Sequence, residues 1–496
     1  MVLMKVSKLI NSLKFKQVQP AVTTDFEVTM LTQDTREIQP GAMFIAVAGY
    51  HVDGHTLVKQ AVEKGAKIIV AQKKIDVTVP VIYVQNTERA MAILADVFYE
   101  APSQKMHMIG VTGTNGKTTV THLIDQIYRD QDQATGLMGT MYRRINDQTF
   151  PTANTTPDAI TTQKTLAQMR DAGVKTVSME VSSIALVLGR VWGIDYDVAV
   201  FTNLTRDHLD FHKTMANYTQ AKSMLFAQLG NKYNLDGTTK VAVLNTDDPV
   251  GREFEQFTAA HVLTYGLNAD AMIRAQNIEI YSHGTEFDLS VFGQLTHITT
   301  KLIGQFNVYN LLAAFAAAYA GGLPEAQIIA SLEKVTGVKG RFQSIPSHTG
   351  VRVIVDYSHT PDSLLNALKT IQTFAKKDIY CVIGCGGDRD NGKRPKMAKI
   401  AVDYSTKPIF TSDNPRTEDS QEILNDMLAG VPNATPQVYV DRREAINKAV
   451  ESAKSGDVIL IAGKGHEDYQ IIGQTKHHFD DCEEAAKALA LKPVAD

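Results

Sequence analysis

The sequence predicts an α/β protein built on mostly parallel sheets and divided into three domains. Its 496 residues exceed what one hydrophobic core organises. From residue 107 onward, short apolar runs alternate with stretches of helical periodicity, the pattern of strands joined by crossover helices. The apolar runs of the last third end in Gly, Asp, Asn or His, residues suited to the edge where open α/β sheets bind ligands.

In the first domain, residues 1–104, "AMFIAVAG" at 42–49 reads as a strand, "HTLVKQAVEKGA" as a helix and "KIIVA" as another strand. The polar, Pro-containing stretch "EAPSQKM" at 100–106 reads as a linker. The second domain, 105–338, carries the strands "MIGVTG", "TVSMEVSS", "DVAVFTN" and "KVAVLN". Its "LLAAFAAAYAGGL" is too short and too rich in Ala and Gly to span a bilayer, and reads as a buried helix. After "GVKGRFQ" at 337–343, the third domain, 339–496, starts a second series: "VRVIVDYSH", "IYCVIGCGG", "PIFTSDN" and "DVILIAGKG". Leu364, Leu368, Ile371 and Phe374 lie at helical spacing between the first two and give one apolar face.

Fifty basic against 54 acidic side chains leave a net charge of −4, which argues against nucleic acid or an anionic membrane as partner. Three cysteines, Cys381, Cys385 and Cys482, suit a reducing cytoplasm rather than a disulfide scaffold. Cys381-x3-Cys385 has no second pair and reads as two ordinary residues. The N-terminal "MVLMKVSKLINSLKF" lacks the apolar core and cleavage site of a signal peptide. The expectation is a cytoplasmic protein without membrane insertion.

Residues 108–124, "MIGVTGTNGKTTVTHLI", pass from an apolar run through a Gly-rich turn into a helix. Such a turn exposes backbone N–H groups, and the helix start adds the positive end of its dipole, so the turn suits phosphate. Lys117 reaches the outer phosphates, and the Thr118 hydroxyl suits Mg²⁺. The general P-loop pattern wants Gly where this chain has Val111, so the signal rests on the string "GTNGKTT": Gly113, Thr114, Asn115, Gly116, Lys117, Thr118 and Thr119. His208 and His212 have a zinc-like i, i+4 spacing, but the Glu of H-E-x-x-H is absent.

"GTNGKTT" resembles the ATP loop of the Mur ligases and of their folylpolyglutamate synthase relatives, and the likeness runs through nearly the whole chain. Within the family it is most similar to members that add the third amino acid to UDP-N-acetylmuramoyl-L-alanyl-D-glutamate. The resemblance implies an N-terminal UDP-binding domain, a central P-loop-type ATPase and a C-terminal Rossmann-like domain. Glu180 in "TVSMEVSSIALVLGRV" matches the Mg²⁺ carboxylate. In "NLTRDHLDFHKTMANYTQAKSMLF", His208 matches a second metal ligand and Lys222 the lysine carried as a carbamate. Asn307 and Asn310 in "GQFNVYNLLAA", Arg341 in "GRFQ", and Asp356 and His359 in "DYSHTPDSL" match ATP contacts.

For the UDP-muramoyl peptide, the resemblance points to Thr35, Tyr50, His51 and Val52 in "TQDTREIQPGAMFIAVAGYHVDGH". It adds Asn154, Thr155 and Thr156 in "NTTPD", then Ser182 and Arg190. Ile184 and Leu188 stand where many members have His and some have Gln. Arg389 in "GCGGDRD", Asp413, Asn414, Pro415 and Arg416 in "TSDNPRTED", and Gly463 and Glu467 in "AGKGHED" match the amino-acid site. They imply meso-diaminopimelate, whose second carboxylate pairs with a guanidinium fork.

The implied enzyme is a monomeric ATP- and Mg²⁺-dependent ligase acting on small molecules in peptidoglycan synthesis, by way of an acyl phosphate. The alternatives are L-lysine or another amino acid as substrate, a folylpolyglutamate synthase-like ligase, or a P-loop nucleotide switch.

Overall fold

The computed structural model describes residues 3–49, 52–230 and 239–493. Near the N-terminus a five-stranded sheet runs in the order Gln17–Gln19, Val81–Tyr83, Ala66–Ala71, Ala42–Ile45, Leu31–Thr32. Alternation along its strands fills two layers. Met43, Ile45, Ile68 and Val70 join Leu94 and Phe98 of the helix Thr87–Phe98, whereas Phe44, Ile69 and Val81 pack on the other face. Strands buried on both sides explain the unbroken apolar runs.

The second sheet has 11 strands. Its parallel centre places His107–Thr112 between Thr176–Glu180 and Val198–Phe201, followed by Val241–Asn245 and His261–Gly266. The helices Lys117–Arg129 and Gln305–Ala320 cover one face through Val120, Leu123, Ile124, Leu311 and Phe315. The Ala-rich stretch is therefore a buried helix. No helix among the described residues is long and apolar enough to cross a membrane.

Antiparallel hairpins flank this parallel centre: Arg143–Ile145 with Gln148–Phe150, and Gly284–Val291 with Gln294–Thr300. The sequence reading did not mark them. Their strands alternate polar with apolar residues or stay exposed, so they lack the apolar runs that flag a parallel centre. The stretch "EAPSQKM" also departs from a loose linker. Pro102–Lys105 forms a 3₁₀ turn in which Pro102 and Ser103 are buried, and the Ser103 hydroxyl accepts from the Asp195 N–H at 3.1 Å.

A six-stranded sheet follows, ordered Gln343–Ile345, Arg352–Asp356, Val458–Ala462, Ile379–Ile383, Lys407–Thr411, Gln437–Tyr439, with only its first pair antiparallel. The helix Pro361–Phe374 buries Leu364, Leu368 and Ile371 against it. The chain is thus α/β with mainly parallel sheets, as its sequence pattern predicts.

Candidate active site

The strand His107–Thr112 feeds the turn of Gly113 to Gly116, and the helix Lys117–Arg129 starts at once. Two glycines are required there. Gly113 has φ +150°, and a Cβ on it would run into the Thr202 hydroxyl. Gly116 has φ +89°, and its Cβ would lie 2.5 Å from Asn310 Oδ1. Thr202 and Asn203 hold the turn from the next strand. The N–H of Thr114 donates to the Asn203 carbonyl (2.8 Å), that of Asn115 to Asn203 Oδ1 (2.9 Å), and the Thr202 hydroxyl to the Asn115 carbonyl (2.6 Å).

Two lysine side chains, buried Lys222 and half-buried Lys117, meet under this turn. Lys117 Nζ donates to the carbonyls of Gly113 (2.9 Å) and Thr114 (2.8 Å), and Lys222 Nζ donates to the same Gly113 carbonyl (2.7 Å). Burial pushes both amines below the ordinary lysine range. Lys222 is held well below it, because Lys117 adds repulsion to the burial.

Glu180 ends the strand beside the turn. Its carboxylate accepts from the Thr118 hydroxyl (3.0 Å), the Thr140 N–H (2.8 Å) and the Thr140 hydroxyl (3.0 Å). Oxygen donors so arranged beside a phosphate loop fit a hard cation such as Mg²⁺. His208, with φ +52°, turns its Nε2 to within 3.3 Å of Asp207. Burial, opposed by Asp207, lowers its pKa. His212 instead meets the Ser183 hydroxyl at 2.9 Å and is lowered to about 4 by burial, so the two imidazoles serve different neighbours.

A cavity of about 400 Å³ gathers Thr114 through Thr119, Asn154, Thr155, Thr156, Glu180, Ser182, Arg190, His208 and Lys222 with Asn310, Arg341, Asp356 and His359. Thr156 organises one wall. Its hydroxyl donates to the Glu180 carbonyl (2.9 Å) and accepts from the Ser182 N–H (3.1 Å), while Arg190 donates to its carbonyl (3.0 Å). Ile184 lines this wall too. From the third sheet, Arg341 donates to the Thr118 hydroxyl (3.0 Å) and Asp362 accepts from Asn115 Nδ2 (3.0 Å). Burial raises the Asp356 carboxyl and lowers His359 to about 4.

Several site residues fall elsewhere. Asn307 does not line the cavity; its Oδ1 accepts from Asn310 Nδ2 at 3.1 Å, so it orients its neighbour. Thr35 is buried and Val52 exposed, both outside the cavity, and Tyr50 and His51 lie outside the described residues. Arg389, Asp413, Asn414, Pro415, Arg416, Gly463 and Glu467 belong to loops at one edge of the third sheet, after Ile379–Ile383, Lys407–Thr411 and Val458–Ala462. There Asn414 Nδ2 donates to Glu467 Oε2 (2.7 Å), and a Cβ on Gly463 would sit 2.5 Å from Asp413 Oδ2. Arg416, at φ +54°, donates to the Gly387 carbonyl (2.7 Å), and exposed Arg389 donates to the Asp388 carbonyl (2.9 Å).

Sequence reasoning missed Thr140, Thr202, Asn203 and Tyr218, whose hydroxyl lies 3.1 Å from that of Thr114. It also missed a second cavity of about 340 Å³ across the turn, lined by Asn245, Tyr265, Phe306, Tyr309 and Asn366. Thr202, Asn203 and Tyr218 lie inside strings that carried other assignments, whereas Thr140 has no spacing signature.

A Gly-rich turn at a helix N-terminus, with a cavity completed by residues of a following sheet, fits the class of nucleotide-dependent enzymes. Comparison with known proteins gives the family. Residues 27–99 match the Mur ligase family catalytic domain, 111–318 the Mur ligase middle domain, and 340–465 the Mur ligase glutamate ligase domain. A UDP-N-acetylmuramoyl-L-alanyl-D-glutamate–2,6-diaminopimelate ligase of Lactiplantibacillus plantarum is 83% identical over 99% of this chain and 100% of its own length. One of the same name from Listeria innocua is 55% identical, covering 94% of this chain and 95% of its own. A solved structure with that name superposes with a TM-score of 0.70 at 33% identity, covering 98% of this chain and 99% of the other. The chain belongs to the Mur ligase family and is an ATP-dependent ligase.

Proposed function

We propose that this ligase joins meso-diaminopimelate to UDP-N-acetylmuramoyl-L-alanyl-D-glutamate, using ATP, as a step of peptidoglycan synthesis. The observation that carries the reading is the 83% identity, over 99% of the chain, to a ligase named for that reaction. Residues 1–104 take the uridine end through Thr35, Tyr50, His51 and Val52. Residues 105–338 take ATP and the muramoyl peptide, and residues 339–496 take the amino acid. The protein works as a monomer in the cytoplasm.

A carboxylate is a poor electrophile, so its oxygen must first become a leaving group. The D-Glu carboxylate attacks the γ-phosphorus, the bond to the bridging oxygen of ADP breaks, and an acyl phosphate forms. The incoming amine attacks the acyl carbon, the tetrahedral intermediate expels phosphate, and the amide forms with loss of a proton. Lys117 and the N–H groups of the turn counter the charge on the transferring group. Asn154, Thr155, Thr156, Ser182 and Arg190 hold the peptide end beside it. Thr118, Glu180 and His208 would hold Mg²⁺, which when bound neutralises phosphoryl charge.

Lys222, whose amine burial and then Lys117 push well below the ordinary lysine range, is suited to take up CO₂. The unprotonated amine attacks the carbon of CO₂, a C–N bond forms as a C=O π bond breaks, one proton leaves the nitrogen, and an anionic carbamate results. In the amino-acid site, Arg416 pairs with the distal carboxylate of diaminopimelate. L-Lysine lacks that carboxylate and would leave the guanidinium without its partner, a contact worth roughly 10⁴–10⁵ in discrimination where a site is built on it.

The test is phosphate release with ATP, the UDP-muramoyl dipeptide and each candidate amino acid. The expected outcome is release that requires both the dipeptide and meso-diaminopimelate. Equal use of L-lysine would overturn the amino-acid assignment.

A further inference from the structure

The ammonium of Lys464, in the loop after Val458–Ala462, is fully buried and has no part in the steps above. It donates to Asn414 Oδ1 at 3.2 Å, to Glu467 Oε2 at 3.3 Å and to the Tyr469 carbonyl. Three N–H groups thus meet three acceptors, one a carboxylate, so the buried side chain is fully paired. The Asn414 amide is fixed by the same contacts. Its Oδ1 also accepts from the Ile471 N–H (2.9 Å), and its Nδ2 donates to Glu467 Oε2 (2.7 Å). Oε2 of Glu467 is therefore held twice, whereas Oε1 has no hydrogen-bond partner among the described residues and the side chain keeps 13% exposure.

We propose that Lys464 is a positioning residue that sets specificity: by fixing Oε2 of Glu467 and leaving Oε1 unpaired, it makes the site demand an ammonium group on the amino acid's distal carbon. The inference rests on the ligase reading and names the group its amino-acid site selects. The balance of charges supports it. Burial, then Asp413, pushes the Glu467 carboxyl above its ordinary range, and Lys464 opposes both. Tyr357, Tyr469 and Arg442 are the other groups coupled to this carboxylate. Without Lys464, two acidic groups share a buried corner with no cation between them, and the Glu467 carboxylate loses one of the two contacts that fix it.

The experiment compares kcat/KM for meso-diaminopimelate and for 2-aminopimelate, which keeps both carboxylates but lacks the distal ammonium. The wild type is expected to prefer diaminopimelate strongly. In Lys464→Met the preference falls by about tenfold or more, matching loss of a charged contact, while KM for ATP and for the UDP-dipeptide stays within about twofold. Glu467→Gln loses the same preference, and adding Lys464→Met to it changes the ratio no further, as expected of residues acting through one group. Equal losses for both amino acids, or an unchanged ratio, would overturn the proposal by making Lys464 a packing residue. If Lys464→Met does not fold, Lys464→Gln, which keeps an N–H for the Tyr469 carbonyl, replaces it under the same criteria. Failure of both to fold would make the lysine a determinant of folding and also end the proposal. Should the wild type use lysine instead, the ligase reading's amino acid falls, and lysine against norleucine tests Lys464 in the same way.

Discussion

Lys117 and Lys222 direct two ammonium groups at one carbonyl oxygen, that of Gly113. Lys117 and Lys222 repel each other there, and the proposed phosphate and carbamate roles would each relieve that repulsion. Lys117→Ala is expected to abolish ligation while leaving affinity for the UDP-dipeptide nearly unchanged, measured by phosphate release and calorimetry. Wild-type-like ligation would remove the phosphate role from this lysine. Lys222→Ala is expected to be nearly inactive and partly rescued by small carboxylates that replace the carbamate; full activity without them would make it a structural lysine. Stability gives a second readout. The Lys222 amine is depressed in the folded chain, so the unfolded chain binds the extra proton and stability rises with pH. Lys222→Met in CO₂-free buffer should therefore melt higher than wild type at neutral pH, by a margin that shrinks as pH approaches the ordinary lysine value of about 10.4. Lys117, Glu180 and Lys222 were legible as residues because motif strings carry them. Thr140, which grips Glu180 through both its N–H and its hydroxyl, was not.

At the scale of elements, the phosphate turn and the helix Gln305–Ala320 fit only because Gly116 lacks a side chain. Gly116→Ala places a Cβ 2.5 Å from Asn310 Oδ1 and forces Ala to φ +89°. The left-handed backbone alone costs about 1–2 kcal/mol. ATP affinity is expected to fall by at least about tenfold, and Gly116→Ala with Asn310→Ala should recover only part of it, since the contact is relieved but the backbone strain is not. Full recovery would show that sterics alone restrict this position. The parallel strands were readable because burial on both faces leaves continuous apolar runs such as "KVAVLN". The flanking hairpins were not, although Gly284 and Gly293 at their turns were an available signal. Their strands alternate, and their pairing depends on the sheet they extend.

At the scale of the whole molecule, the family resemblance brings Arg341, Asp356 and His359 of the third unit to the second unit's site, but the side-chain pairs between units are not legible, because packing between distant segments leaves no local pattern. The N-terminal core continues into the second unit through Ala159, Ile160 and Ala167, and Arg89 stacks over Trp192 at 4.7 Å. The joint to the third sheet has a polar centre beside an apolar margin. Ile303 belongs to the same core cluster as Leu364 and Leu368, and Phe306 packs 5.3 Å from Phe342. Next to them Arg341 stacks on Tyr357 at 4.4 Å and donates to Thr118, whose hydroxyl donates in turn to Glu180. Arg341 Nε is buried without a hydrogen-bond partner among the described residues, and Arg341 lines the cavity beside the Gly113–Gly116 turn. Arg341 therefore links Tyr357 of the third unit to Thr118 at the start of the helix that follows the turn. A hydrogen bond from a charged group contributes about 1.5–3 kcal/mol, which corresponds to roughly 10–150-fold in rate when it acts in the transition state. Arg341→Met, which keeps the stem over Tyr357, should lower kcat within that range. Affinity for the UDP-dipeptide should stay within about twofold and the melting temperature within a few degrees, since the apolar margin of the joint is untouched. Steady-state kinetics, dipeptide titration and calorimetric melting on one preparation decide it. Equal losses in kcat and dipeptide affinity would mean that Arg341 only supports the fold of the joint; an unchanged kcat would mean that closure onto the phosphate loop proceeds without it.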